Sequence, residues 1–377
     1  MSTIAVMHLI DSLAAGGSER VAVNLANNLP RERYHAHLCA TRQGGPLSTL
    51  VQPHVQLLVL RRGARFDLAA IWRLAAYVRA HRIRVLHAHS SSIFLAAVVS
   101  LLPPYPRVIW HDHFGRAGLA TRSVPLYGLA MRRAAAVIAV SSQLVDWARR
   151  KLRVSASRIW KIPSFVDEHT PRGELPALPG VAGKRIVCVA NLRPQKDHIT
   201  LLTAMSVVRE QVPDAHLLLV GSAVDQAYLG RVSAEVARLG LSENVSLLGH
   251  RSDVYDILGA CDVGVLSSAS EAFPLSLLEY GVSGLATVTT AVGECAEVLD
   301  RGAAGLLVPP GAPDDLAVAL LSLLRSPSQR KTLADRLRAR VQERYSLQSS
   351  VEQVCRVYEH ILNVGQDGAR NRALTRV

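Results

Sequence analysis

The segment IAVMHLIDSLAAGGSERVAVNLANNL, Ile4 to Leu29, carries three structural instructions in one short span. Ile4 to Ile10 is an apolar run of strand length. A glycine-bearing loop, Asp11 to Arg20, follows it, and then Val21, Leu25 and Leu29 recur at helical spacing. Strand, loop and helix in that order are the first half of a βαβ unit, whose return strand runs parallel to the first. The rhythm repeats through AHLCA (36–40), VQLLVL (55–60), RVLHA (84–88), RVIW (107–110), AVIAV (136–140) and IWKIP (159–163), mostly with helix-length spacers. Such a series predicts right-handed crossovers and helices on both faces of a parallel sheet.

Between Pro163 and Gly180, PSFVDEHTPRGELPALPG is proline-rich and lacks periodicity, which marks a linker. A second series follows: RIVCVA (185–190), HLLLV (216–220), VSLLG (245–249), DVGVL (262–266), ATVTT (286–290) and AGLLVP (304–309). Two doubly wound α/β domains in tandem fit this better than one large sheet. The expected boundaries are 1–168, 169–345 and a C-terminal segment 346–377. Asp314 or Asp315 is placed to cap one late helix through Leu316, Leu320 and Leu323, and Ser346 another through Val351, Val354, Tyr358 and Ile361. The closing NVGQDGARNRALTRV reads as a loose tail.

A chain of 377 residues can core two domains without disulfides or structural metal. Its five cysteines are scattered, with no CxxC pair, which fits a reducing cytosol. The N-terminus lacks a basic start and reads as a buried strand, and the longest apolar run, Ile93 to Leu102, is too short to span a bilayer. Net charge is +13, but residues 1–180 hold 23 Lys/Arg against 9 Asp/Glu, whereas residues 181–377 hold 20 against 21. The first half, at +14, is suited to an anionic partner such as a phosphate-bearing acceptor, an acidic membrane surface or nucleic acid. Basic residues without a clustered aromatic platform argue against nucleic acid.

Ligands of open parallel sheets gather beyond the carboxyl ends of the strands, and four such loops have unusual contents. In DSLAAGGSER, Gly16 and Gly17 permit close backbone approach before a helix whose N–H groups can face an anion; the adjacent glycines exclude the dinucleotide pattern GxGxxG. In WHDHF (110–114), His111 and His113 should project to one side and Asp112 to the other. No third metal ligand is evident nearby, so contact with a polar ligand is the better reading. In NLRPQKDH (191–198), Arg193 and Lys196 bracket a turn before a helix, and both suit phosphate oxygens. In EAFPLSLLEY (271–280), Pro274 should open a helix whose first amides, at Leu275 and Ser276, are free for an anion. Glu271 and Glu279 flank that seat, and carboxylates accept from hydroxyls. The ligand that answers this pattern is a sugar joined to a nucleoside through a diphosphate.

At these residues the chain resembles the retaining glycosyltransferases of family 4, with the GT-B architecture of two facing Rossmann-like domains. GGSER resembles the family's GGxER loop, HDH its active-site histidine, NLRPQK its diphosphate turn, and EAFPLSLLE its paired glutamates. The resemblance implies that Glu271 binds donor-sugar hydroxyls and Glu279 the ribose. Phe273, Pro274, Leu275 and Ser276, with Lys196, would hold the diphosphate and stabilise the leaving group, and Gly16 and Gly17 would line the acceptor and diphosphate region. His113 would touch the reacting sugar, so the catalytic set is His113, Glu271 and Lys196. It also implies metal-independent chemistry with no cofactor, a last helix returning to the first domain, and an acceptor domain at residues 1–168 facing a donor domain at 169–345. Its partners would be a nucleotide sugar and a glycan or glycolipid acceptor; the scattered cysteines and the basic first half point to the cytoplasm, peripheral at the inner face of the plasma membrane. The chain departs from the usual pattern at Ala190-Asn191, with the arginine two places later as Arg193, and at Pro163-Ser164-Phe165 in the hinge. A sugar-nucleotide epimerase of the same architecture and a non-catalytic nucleotide-sugar-binding protein are the competing readings.

Overall fold

Strand β1 (Ile4–Ser12) is central, paired in parallel with β2 (Tyr34–Gln43) at one edge and with β4 (Val85–His89) at the other, and its two faces are buried in separate cores. In the computed structural model, which describes residues 3–14, 16–64, 67–113, 122–166 and 176–374 and side chains as far as residue 363, the chain divides into two compact units. Among the described residues, the first holds those up to Phe165 together with those from Leu347 to Leu374, and the second holds Val166–Ser346. The proline-rich linker lies largely outside the described residues.

In the first unit, β3 (Gln56–Val59), β5 (Arg107–Asp112), β6 (Ala134–Ala139) and β7 (Ile159–Lys161) complete a parallel sheet of order β3-β2-β1-β4-β5-β6-β7. Alternation sorts its side chains between two cores. Ala5, Met7 and Leu9 face one core with Leu74, Ile93 and Trp110, under α2 (Leu68–Ala80), α3 (Ile93–Val99), α4 (Val124–Met131) and α5 (Ser142–Arg150). Val6 and Ile10 face the other, under α1 (Gly17–Asn28) and the last helix.

The second unit repeats the plan. Its strands are β8 (Arg185–Val189), β9 (His216–Val220), β10 (Val245–Gly249), β11 (Val263–Leu266), β12 (Ala286–Thr290) and β13 (Leu306–Val308), in the order β10-β9-β8-β11-β12-β13. Between and after them come α6 (His198–Gln211), α7 (Gln226–Arg238), α8 (Val254–Gly259), α9 (Leu275–Val282), α10 (Cys295–Val298), α11 (Pro313–Arg325) and α12 (Pro327–Arg344). In both sheets the order reverses beside the first strand, which is the doubly wound pattern read from the sequence.

The C-terminal part departs from expectation in three ways. Asp314 and Asp315 do not cap α11: Ala312 is the capping residue, Pro313 takes the first helical position, and both carboxylates lie in the first turn, where they favour the helix dipole. Helix α12 has no counterpart in the sequence reading, because only Leu333, Ala334, Leu337 and Val341 of its polar, arginine-rich sequence are buried. Helix α13 (Leu347–Leu374) continues into the segment read as a loose tail, since each residue added to a formed helix gains a backbone hydrogen bond at little cost. Its Val354, Tyr358 and Ile361 return to the core of the first unit.

Candidate active site

Strand β8 stops at Val189, and the following turn is held by its neighbour. The Ala190 N–H donates to Val220 O and the Leu192 N–H to Ser222 O, each at 2.9 Å, while the Asn191 side-chain oxygen accepts from the Ser222 N–H at 3.0 Å. Pro194–Lys196 form a 3₁₀ turn, and Asp197, at φ 47°, caps α6 by accepting from the Thr200 hydroxyl at 2.7 Å and its N–H at 3.2 Å. The loop after β11 is fastened to this turn. Ala269 N–H donates to Gln195 O at 2.9 Å, and the Ser267 hydroxyl donates to Lys196 O at 3.0 Å.

This fastening brings Lys196 Nζ onto Glu271 Oε1 as an ion pair, and the Ser268 hydroxyl donates to the same oxygen at 2.7 Å. With side chains only 17% and 10% exposed, the pair is shielded enough for its charges to be felt. Arg193, by contrast, is exposed, so the structure brings Lys196 rather than Arg193 to the glutamate.

Helix α9 begins one residue later than the sequence suggested. Pro274 is its capping residue, with a non-helical ψ of 89°, and Leu275 is the first helical position. The amides of Leu275 and Ser276 thus occupy the first turn, where no carbonyl four residues back is available to them and the helix dipole favours an anion. The Ser276 hydroxyl donates to Val189 O at 2.6 Å. Tyr280 binds the same strand end, accepting from Val189 N–H at 2.8 Å and donating to Val265 O at 3.1 Å. Helix α9 is therefore clamped to two strand ends. Phe273 tilts against Tyr345, 5.7 Å between ring centroids, and Glu279 is half-buried on the helix.

Gly293 backs this seat and was missed in the sequence. Its φ is 54°, and a Cβ would lie 2.3 Å from Glu271 O, so only glycine satisfies both the conformation and the space. An isolated glycine in a loop carries no local sign that another backbone passes so close.

In the first unit, Gly16 is the capping residue of α1 and Gly17 opens it. Gly45 packs behind this loop: a Cβ there would sit 2.4 Å from Leu13 O. Asp11 gathers the strand ends, accepting from the hydroxyls of Ser91 at 2.6 Å and Thr41 at 2.7 Å.

His111 and His113 project to one side as expected, their rings stacked at 4.1 Å, and Asp112 points to the other. There Asp112 accepts a two-pronged contact from Arg122 at 2.7 and 2.6 Å. Phe114 lies outside the described residues. The further imidazoles that the local sequence lacked arrive from β1 and β4. His8, His87 and His89 share the face of His111 and His113, because β1, β4 and β5 are adjacent and His8 is in register with His87, and His89 with His111. Burial pushes His8 and His113 down to about 3 and holds His87, His89 and His111 well below the usual imidazole range, so the cluster is neutral. Two triplets, His8/His87/His89 and His89/His111/His113, have nitrogens close enough to share an ion. Their rings, however, are stacked, with planes 1° to 29° apart within the triplets, so the in-plane lone pairs do not converge as a tetrahedral ion requires.

Residues 15–170 match the family described as Glycosyltransferase Family 4, and residues 180–340 that described as Glycosyl transferases group 1. Among curated proteins, N-acetyl-alpha-D-glucosaminyl L-malate synthase of Bacillus anthracis is 24% identical over 80% of this chain and 81% of its own length. UDP-Gal:alpha-D-GlcNAc-diphosphoundecaprenol alpha-1,3-galactosyltransferase of Escherichia coli is 25% identical over 77% and 80%. Among solved structures, Anabaena HepE in complex with UDP-glucose superposes with TM-score 0.78 at 20% identity, covering 95% of this chain and all of that one. Sucrose-phosphate synthase from Thermosynechococcus elongatus gives 0.79 at 22%, over 96% and 100%. The two parallel sheets with a returning C-terminal helix are thus the GT-B architecture. The chain belongs to glycosyltransferase family 4, retaining enzymes that move a sugar from a nucleotide-sugar donor.

Proposed function

We propose that the enzyme transfers a hexosyl group to a lipid-linked saccharide or cell-surface polysaccharide precursor at a membrane surface. The observation that carries the donor half is the Lys196–Glu271 pair fastened beside the first turn of α9. The donor diphosphate sits on the Leu275 and Ser276 amides. As the bond from the anomeric carbon to phosphate breaks and one to an acceptor hydroxyl oxygen forms, the hydroxyl proton passes to the departing diphosphate, and Lys196 stabilises the charge left there. Glu271 takes sugar hydroxyls, Glu279 the ribose, and His113 the reacting sugar.

A thermal-shift series with UDP-glucose, UDP-N-acetylglucosamine, GDP-mannose and ADP-glucose tests this reading, because a ligand at 100 times its Kd adds about 2.7 kcal/mol to the folded state. Glu279→Ala is expected to weaken the stabilising donor about 10- to 100-fold, as for a hydrogen bond to a charged group. No shift with any of the four, or an unaltered Kd in Glu279→Ala, sinks the donor assignment.

The acceptor half rests on the outer layer of the first unit, where α2, α3 and α4 are neighbours. Leu68 and Trp72 on α2 are 70% and 66% exposed, Leu129 on α4 is 61% exposed, and Val98, Leu101 and Leu126 are open beside them. Arg73, Arg79, Arg132 and Arg133 are exposed in the same layer. Apolar side chains with interspersed cations suit an anionic bilayer surface, and no helix among the described residues is long and apolar enough to cross one. Sedimentation with phosphatidylglycerol vesicles should exceed that with phosphatidylcholine at least tenfold at low salt, and fall as salt rises. Equal binding to both lipids removes the membrane-bound acceptor.

A further inference from the structure

Four buried imidazoles and the half-buried His113 form one unbranched hydrogen-bonded path that runs through Tyr358. His113 Nε2 meets His89 Nδ1 at 2.9 Å, and His89 Nε2 meets His8 Nδ1 at 3.1 Å. His8 Nε2 lies 3.3 Å from the Tyr358 hydroxyl, which lies 2.7 Å from His87 Nδ1, and His87 Nε2 meets His111 Nδ1 at 3.0 Å. His8, His87 and His89 are wholly buried, and Tyr358, on α13, reaches them from the far end of the chain.

A neutral imidazole has one N–H and one lone pair, and a phenol has one proton to give. Each link in the path therefore needs its proton on a fixed side. If His113 donates to His89 and Tyr358 passes its own proton on to His87, every link points the same way, and all five rings carry their proton on Nε2. If the path runs in reverse, all five carry it on Nδ1. Any mixture leaves two lone pairs or two protons facing each other, or makes Tyr358 accept from both rings with its own proton left out of the path, and buried polar groups avoid being left unpaired in this way. Burial holds the rings in the neutral form that this argument needs.

We propose that His8, His89, His87, His111 and Tyr358 are positioning residues that lock all five histidines in one shared tautomer and so fix whether His113 offers its sugar-facing nitrogen as donor or acceptor. The role rests on the assignment of His113 to the donor sugar, whereas the ordering of the path does not. Tyr358 then acts on the reaction from the C-terminal helix without touching substrate.

Long-range proton–nitrogen spectra of the ¹⁵N-histidine-labelled full chain distinguish N–H from lone-pair nitrogens. The expected result is one tautomer for all five rings at pH 7, and no bound metal in the purified protein. Mixed tautomers, a cationic ring, or a stoichiometric transition metal on these nitrogens overturns the path. Tyr358→Phe splits it into two segments free to differ. Release of nucleoside diphosphate from the nucleotide sugar that best stabilises the protein should then show kcat down about tenfold with donor KM within twofold, the pattern of an interaction felt in the transition state. His89→Gln, whose amide can still accept and donate, should restore most of the turnover that His89→Leu removes. Unchanged kcat in Tyr358→Phe overturns the positioning role. A shared tautomer combined with full activity in His113→Ala would instead remove the assignment of His113 to the sugar, and the positioning role with it.

Discussion

Lys196→Ala should lower kcat about 100- to 1,000-fold, the range seen when one preorganised group facing a developing oxyanion is removed. Lys196 lies at the end of a turn that Ser267 and Ala269 fasten through the backbone, so the turn does not depend on the lysine side chain. Its ion pair with Glu271 keeps some contact with solvent, at 17% and 10% exposure, and Ser268 still donates to Glu271 after the lysine is gone. The fold should survive the change. A melting temperature close to that of the parent, with turnover greatly reduced and donor KM little changed, is the expected combination. Turnover within threefold of the parent would show that the charge on the leaving diphosphate is met elsewhere, with Arg193 the first residue to examine.

Asp112→Ala should cost about 3–5 kcal/mol of stability, the penalty for removing one partner from a buried ion pair. The Asp112 and Arg122 side chains are only 2% and 4% exposed, and the guanidinium lies 4.8 to 5.3 Å from the ring centroids of Trp147, Tyr127 and Trp110. Without Asp112 the cation loses its carboxylate in a place water barely reaches. For a unit of this size the melting temperature should fall by about 6–20 °C. The double variant Asp112→Ala with Arg122→Leu should recover much of the loss, because an apolar side chain among three aromatic rings has no charge to desolvate. A single variant as stable as the parent would mean that solvent reaches the guanidinium after all.

These two expectations differ in how far the sequence reaches. Lys196 and Glu271 were both visible as unusual contents of loops after strands, since the doubly wound rhythm itself says where ligands gather. Their direct pairing was not visible, because it depends on how the turn after β8 is tied to the loop after β11. Arg122 gave no sign at all. It is one arginine in an arginine-rich half, and nothing local distinguishes a buried arginine from an exposed one.

The chain alone determined the strands and the alternation of their faces, because apolar runs, periodicity and proline-rich punctuation act over a few residues. It also placed His111 and His113 on one side of β5, since the two-residue repeat of a strand is local geometry. The tertiary structure decided what they meet. His8, His87, His89 and Tyr358 come from places far apart in the chain, and they converge because the sheet sets β1, β4 and β5 side by side and α13 returns across them. Strand order and helix return are settled by long-range packing, and no window of sequence contains the partners that fix them.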